Sequence, residues 1–591
     1  MGTVAVEKLR KLAGNGGILL ILLAALAACG PRFVRGVSCG HDFDFHLVSW
    51  METQRAWSQG ALYPHWAQSP NWGAGEPRFV FYPPLTWMLG ALLGYGMPWE
   101  WVPFAMTFLC LAGAGLATRA LARQFLPGPN ATLAGVIATA APYALFAAYE
   151  RTAFAELAAA ALIPLLLLFA LRNLESRNDH FPAALVLAAI WLTNAPAGVM
   201  ASYLLAFAAL AAAAIERSWR PILRAVVAAP LGLGLAAFYL VPAAWEQRWI
   251  DIRQALDVGM RVGDSWLFAR HASANLALHD QVLHTASMIF VLTAVVALGA
   301  LVVCLRQGRL SSETRRFWMP LALLIPILFL MQLPVSELLW DLPKLQFLQF
   351  PWRWLMVLGT SYAIFLAAAT PLATRRSRLW AGLGWSVILL VLVGVGSRMF
   401  FQPCDDEDAV GNQVAVFHEG DGVDGIDEYA PLGSDNTLVA SDLPDGCMVS
   451  DPSQELGKNQ TGSEAGSDDQ STPAWSPEQG SCDGTFTAQI WQDEHKLLRI
   501  DSDHDGFVIL RLRRYPAWRI TVNDRPVTLS SAREDGLVVV PVTAGPSTIE
   551  ARWTTTPDVL WGRWISLGAV GVLALLWIVE RRWRAIRLSS K

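Results

Sequence analysis

Apolar stretches of roughly 20 residues recur along this chain from Gly17 to Val579, and few charges interrupt them. An α-helix of that length crosses a hydrocarbon core about 30 Å thick, and it satisfies its own backbone polar groups where lipid cannot. The pattern predicts a polytopic α-helical membrane protein. About twelve such segments stand out, at 17–34, 100–121, 129–148, 152–171, 181–194, 196–215, 222–243, 285–305, 317–334, 352–372, 379–398 and 559–579. The composition agrees, with 54% hydrophobic and 16% charged among 591 residues. No basic, aromatic-interleaved surface points to nucleic acid as a partner. No Ser/His/Asp nucleophile motif, phosphate-binding loop or dinucleotide glycine pattern is present, and no Cys/His spacing fits a zinc site.

The basic residues decide how the chain is threaded. Lys8, Arg10 and Lys11 precede the first segment. If 79–96 also crossed the membrane, Arg119 with Arg123, Arg172 with Arg177, and Arg217 with Arg220 and Arg224 would all lie outside. So would Arg306–Arg316, Arg375–Arg378 and Arg581–Arg587. That inverts the positive-inside rule at every loop. If 79–96 instead lies in the interface, all these clusters become cytoplasmic together. Its Pro83-Pro84 start, its glycines at 90, 94 and 96 and its short apolar core suit an interfacial helix. This second threading is adopted, with both termini cytoplasmic. Ala27-Ala28-Cys29-Gly30 has the form of a lipoprotein cleavage site, but the first helix is expected to stay as an anchor.

The threading gives an N-terminal transmembrane helix (1–34), a first extracytoplasmic loop with interfacial helices (35–99) and a transmembrane helical core (100–398). An extracytoplasmic insert (399–558) and a last helix with a basic cytoplasmic tail (559–591) complete it. The insert begins acidic, and its Ser/Gly/Asp/Gln-rich stretch 450–484 reads as a mobile loop. From Thr485 the pattern becomes two-residue alternation in FTAQIW, KLLRIDS, GFVILRLRR, WRITVNDRPVTL, LVVVPV and STIEARW, with turns at Asn523-Asp524 and Ala544-Gly545. An antiparallel β-sandwich near the C-terminus is expected. Cys29, Cys110 and Cys304 lie in apolar segments and are read as small core residues. Cys39, Cys404, Cys447 and Cys482 lie in polar segments, where a disulfide is expected on an oxidising side, its connectivity open.

Chemistry-bearing residues gather at the outer helix mouths, above all in 40–84. Asp42, Asp44 and His46 are spaced to share one face of an extended segment. A carboxylate there suits a general base, or the pair Asp42 and Asp44 suits a divalent cation such as Mg or Mn; a polar interfacial loop anchored by aromatics fits the spacing equally well. Arg78, with Glu76 before it and Tyr82 after it, is placed for a phosphate or a lipid headgroup, or simply to snorkel. Glu156 stands inside an apolar helix and must face a partner or a wet cavity, and Arg151, beside Tyr149 and Glu150, is the candidate partner. Asn194 breaks two segments as a tight hairpin or a site residue, and Arg353 is a further outward candidate. Trp57, Trp66 and Trp72 offer faces for a sugar or a lipid.

Several motifs carry a resemblance. D-x-x-F-H at 42–46, G-x-x-Y-P-x-W at 60–66, GEPRFVFYPPL at 75–85, YERTAFAE at 149–156, WLTNAP at 191–196, FYLVPAAWE at 238–246, QFPWRW at 349–354 and DEYAP at 427–431 resemble a bacterial multi-pass family labelled "6-pyruvoyl-tetrahydropterin synthase-related, membrane". YPAWRITVNDRPV at 515–527 resembles the outer domain of large bacterial proteins that glycosylate cell-surface polymers. The family is similar to the C-type membrane glycosyltransferases. The resemblance implies a polyprenyl-phosphate-linked sugar donor, a cell-envelope acceptor, membrane lipids around it and a catalytic Asp in the first outer loop. Asp42 matches that position best and Asp44 is the alternate, whereas the adjacent Asp-Glu pair of many relatives is absent. Two other classes stay open: a non-catalytic binding or assembly protein on the same scaffold, and a lipid or solute transporter.

Overall fold

The computed structural model describes residues 2–174, 180–441, 443–453, 456, 485–527 and 533–589. Most of 450–484, with Cys482, and Arg177 lie outside the described residues. Among the described residues nine helices are long and apolar enough to cross a membrane. Two bent pairs and the short apolar helix Phe181–Trp191 complete a one-for-one match to the segments expected from hydropathy. The chain is a polytopic α-helical membrane protein with a β domain near its C-terminus.

The bends have local causes. Arg220–Leu235 meets Ala237–Trp249 at 75°, with Pro230 and Pro242 inside the helices and Gly232 and Gly234 at the break. Ser312–Leu330 meets Pro334–Trp340 at 106°, where Leu333 is forced extended by the proline that follows it. The same rule parts Gly128–Thr139 from Pro142–Tyr149 at Ala141.

The first helix, Gly2–Ala28, ends where Val102–Ala122 begins: Arg32 donates to the Glu100 carbonyl at 3.1 Å, and Phe33 packs on Trp101 and Phe104. Residues 36–99 therefore leave and rejoin the bundle at one end. Within them Pro84–Gly96 has 13 residues, about 20 Å of helix, too short for the bilayer core. It lies flat on the helix Phe43–Ser58, where a Cβ at Gly90 would sit 2.3 Å from the Trp50 ring. At the opposite end of the bundle Arg119 flanks Gly17, Arg309 donates to the carbonyls of Ala368 and Ala369, and Arg315 donates to that of Ile215. The helix Arg375–Met399 turns Leu379, Trp380, Leu383, Val387 and Leu390 outward unpacked, as a lipid-facing surface does.

Among the described residues the β domain has eight strands: β1 (Gly446–Val449), β2 (Thr485–Gln492), β3 (His495–Ser502), β4 (Gly506–Arg513), β5 (Trp518–Val522), β6 (Arg525–Pro526), β7 (Leu537–Val542) and β8 (Gly545–Trp553). They form two antiparallel sheets, β1-β4-β7 and β2-β3-β8-β5-β6, around Met448, Leu498, Ile500, Val508, Leu510 and Ile549. Asn523 and Asp524 both take positive φ, the two-residue hairpin geometry that suits Asn-Asp. The domain is docked on the first loop and not merely tethered. Trp66 is buried among Tyr515, Trp518 and Trp553, Arg55 pairs with Asp493 at 3.0 Å, and Lys496 Nζ donates to Gln68 Oε1 at 2.7 Å. Burial holds the Lys496 ammonium down at about 7 and pushes the Asp493 carboxyl up to about 6. A disulfide between Cys39 and Cys404 ties the first loop to the start of the insert.

Candidate active site

Four ionisable side chains converge at the loop end of the bundle. Asp42 Oδ2 accepts from Arg151 Nη2 at 3.1 Å, and Arg151 Nη1 donates to Glu156 Oε2 at 3.1 Å. Arg353 Nε lies 3.6 Å from the same Glu156 oxygen, and the Tyr143 hydroxyl donates to the other. The result is an alternating chain, Asp42–Arg151–Glu156–Arg353. Asp42 is its open end, with a side chain 35% exposed, while the Arg151 and Glu156 side chains are 10% and 5% exposed.

Each member is placed by a distinct local device. Asp42 precedes the first turn of Phe43–Ser58, and its backbone N–H donates to the Arg151 carbonyl at 2.9 Å. That close approach needs a glycine two residues earlier, because a Cβ on Gly40 would lie 2.2 Å from the Glu150 carbonyl oxygen. Arg151 sits in the break between Pro142–Tyr149 and Phe154–Leu174, followed by Thr152 at φ +46°. A β-branched residue in the left-handed region is strained, and such strain concentrates at functional sites. Glu156 is in the first turn of Phe154–Leu174, where the helix dipole favours a carboxylate. Arg353 is in a short turn just before Leu355–Ala369, its Nη1 donating to the Leu348 carbonyl and to Gln349 Oε1. The Phe350 and Trp352 rings are stacked at 5.0 Å, and the two guanidinium groups lie 5.0 and 5.9 Å from the Phe350 ring centre. Burial alone would lower the Arg151 pKa, but Asp42 and Glu156 beside it push it above its usual value.

The structure places several of the expected residues differently. Residues 43–58 are helical and not extended, so Asp42, Asp44 and His46 do not share a face. Asp44 is exposed, on the side of Asp408 and Asp424, and Asp42 faces Arg151. His46 points inward among Phe45, Trp50, Tyr82 and Phe154, 2% exposed, and touches no open surface. Arg78 does not snorkel: at 2% exposure it is paired with Glu76 at 2.6 Å, donates to Ser49 Oγ at 3.1 Å and covers the Phe45 ring. Glu76 also accepts from the Ile426 N–H at 2.9 Å, which fastens the insert to the first loop. Trp66 is fully buried and offers no face to a ligand.

The remaining candidates divide between site and scaffold. Tyr82 lies edge-on to Phe45, near the Asp42 end. Tyr149 is buried, and its hydroxyl donates to the Ala28 carbonyl. Glu150 accepts from Gln402 at 2.8 Å, and burial raises its carboxyl pKa. Asn194 caps Ala195–Glu216 by accepting from the Ala197 N–H at 2.9 Å, which is a structural role. The structure adds Glu428, unremarked within DEYAP. Burial, with Glu76 and Asp427 nearby, raises its carboxyl to about 7, and Arg353 and Asp42 are both within its electrostatic reach.

Burial also pushes the His46 imidazole down to about 4; Asp42 opposes this, and Arg78 and Arg151 add to it. The folded state keeps His46 neutral where the unfolded chain titrates near 6.5. Its contribution is complete above pH 6.5 and is lost as the pH falls toward 4, about 3 kcal/mol in all. His46→Phe is therefore expected to flatten the acid limb. Unfolding free energies of both proteins in detergent measure this, and a wild-type-minus-variant difference that stays constant with pH rejects it.

No family model matches this chain, and neither does any curated protein. Solved structures give distant likenesses in fold. An oligosaccharyltransferase of Archaeoglobus fulgidus, in its apo form, matches at 13% identity and a TM-score of 0.40, over 66% of this chain and 57% of that one. The arabinofuranosyltransferase AftD from Mycobacteria matches at 17% identity and a TM-score of 0.36, over 64% of this chain and 26% of that one. ArnT from Cupriavidus metallidurans, bound to undecaprenyl phosphate, matches at 14% identity and a TM-score of 0.28, over 71% of this chain and 91% of that one. This chain thus spans little more than half the length of the archaeal protein.

Proposed function

We propose that this protein is a membrane glycosyltransferase that moves a sugar from a polyprenyl-phosphate donor to an extracytoplasmic acceptor of the bacterial cell envelope. The observation that carries the reading is the chain Asp42–Arg151–Glu156–Arg353, with one open carboxylate and two guanidinium groups at a helix mouth. The site end of the bundle is assigned to the outer face of the cytoplasmic membrane. The Cys39–Cys404 disulfide at that end suits an oxidising compartment, and the arginines of the opposite end suit the cytoplasm.

In the proposed step the acceptor hydroxyl gives its proton to Asp42 as its oxygen attacks the anomeric carbon. The bond from that carbon to the phosphate oxygen breaks, and polyprenyl phosphate leaves with the electron pair. Arg151 and Arg353 stabilise the charge that develops there. Arg353 Nε is buried without a hydrogen-bond acceptor, a donor left over for a ligand. Arg151 is shared with Asp42, so a phosphate that draws Arg151 away also releases the base.

The direct test is undecaprenyl phosphate binding by the purified protein. A charged hydrogen bond is worth roughly 1.5–3 kcal/mol, so Arg353→Ala is expected to weaken binding about 10- to 100-fold. Equal affinity in the wild type and in the Arg151→Ala, Arg353→Ala double variant would remove the phosphate site from this position.

A further inference from the structure

A second cluster stands on the same end of the bundle, outside the chain of charges just described. The loop after the first bent pair folds back on the first turn of the helix Ala277–Arg306. There His271 Nδ1 lies 2.7 Å from Asp280 Oδ1, and the His271 backbone N–H donates to Asp280 Oδ2 at 2.8 Å. His279, the neighbour of Asp280, places its ring 5.6 Å from that of His271, with Nε2 3.2 Å from the Asp264 carbonyl oxygen. One ligand atom from each of His271, His279 and Asp280 lies within 4.8 Å of the other two, and all three residues are half-buried. Among the described residues no other trio of His, Cys, Asp or Glu converges in this way.

We propose that His271, His279 and Asp280 form a binding site for a zinc-class transition cation. Two imidazole nitrogens and one carboxylate match zinc, whereas magnesium and calcium take six or more oxygens. Zinc bonds of about 2.0–2.2 Å set tetrahedral ligands roughly 3.3 Å apart. The His271–Asp280 contact must therefore open by about half an ångström and the His279 ring must swing in. Side chains on a half-buried surface make both movements without a backbone change. The cation takes the place of the proton shared between His271 and Asp280, and its fourth position falls to water or to the Asp264 carbonyl.

Such an ion would pin a loop that bears on the arginine pair. Leu267 N–H donates to the Gln332 carbonyl at 3.1 Å, Gln332 Nε2 to the Pro351 carbonyl at 3.0 Å, and Gln349 Nε2 to the Ala255 carbonyl at 2.7 Å. The His279 ring is 6.2 Å from Phe350, the ring that both guanidinium groups approach. The cluster thus sits behind the segment that presents Arg353.

The test uses the full chain in detergent, stripped with a chelator and titrated with Zn²⁺ against a chromophoric competitor. One equivalent is expected to bind, and Co²⁺ in its place should give the intense visible absorption of a four-coordinate site. His279→Ala leaves the His271–Asp280 pair intact and is expected to lower zinc affinity at least tenfold; His271→Ala should do the same. Circular dichroism of the metal-free variants checks that they fold. Equal zinc affinity in wild type and His279→Ala overturns the site and leaves a His–Asp ion pair. The readout is metal binding alone, so it stands or falls apart from sugar transfer.

Discussion

Asp42→Asn is expected to lower sugar transfer by about 10²- to 10⁴-fold, the usual contribution of a positioned general base. The substitution keeps the size of the side chain and leaves an amide that can still meet Arg151, so the fold should be undisturbed. Its effect on the donor is expected to have the opposite sign. In the free protein Asp42 holds Arg151 at 3.1 Å and competes with any incoming phosphate. Removing that charge should leave undecaprenyl phosphate binding unchanged or tighter. A loss of turnover without a loss of donor affinity separates a base from a binding residue. Glu428→Gln is the companion measurement, because a carboxyl near 7 is also suited to accept a proton. Transfer that survives Asp42→Asn and fails in Glu428→Gln moves the base to the insert. A transporter would depend on neither carboxyl in this pattern.

The parts of this fold that could be read from sequence are those set by repeated local physics. Apolar length marked the spanning helices, and two-residue alternation marked β2 to β8. Asn194-Ala195-Pro196 is a cap followed by a proline in the first helical turn, and the helix begins there. The misreading of 42–46 has an equally local cause. Over those few residues polar and apolar positions alternate, which suggests a strand. Over a longer window Phe43, Leu47, Trp50 and Met51 recur with helical spacing, within a helix whose residues 46–53 are all buried. The window was too short for the longer period to show.

Partners brought together by tertiary packing were a different matter. Glu156 was recognisable as a buried acid needing a counterion, and Arg151 is five residues away. Arg353 arrives from a turn 197 residues later in the chain, and no local pattern records that meeting. Arg78 shows the converse. Its neighbour Glu76 was visible in the sequence, but only the irregular turn around Pro77 folds the two side chains against each other. A basic residue near an interface usually reaches for water or a headgroup, and here an internal carboxylate outcompetes both.

Glu156→Leu is expected to destabilise the protein by about 3–5 kcal/mol, the cost of removing one partner from a buried ion pair. The figure rests on what the substitution leaves behind. Glu156 is 4% exposed and meets Arg151, Arg353 and the Tyr143 hydroxyl. Without it two guanidinium groups face one another in a site from which most water is excluded, and a tyrosine hydroxyl loses its acceptor. Desolvation then acts with like-charge repulsion, where in the native site the carboxylate offsets both. Glu156→Gln keeps the acceptor and should lose less. Removing the stranded charge as well, in Glu156→Leu with Arg353→Met, should recover part of the loss, because residues in one ion network are not additive. Thermal unfolding in detergent of the single and double variants measures the coupling. Additive losses would mean that Glu156 does not hold the two arginines, and the site would then lack the element that presents them to a phosphate.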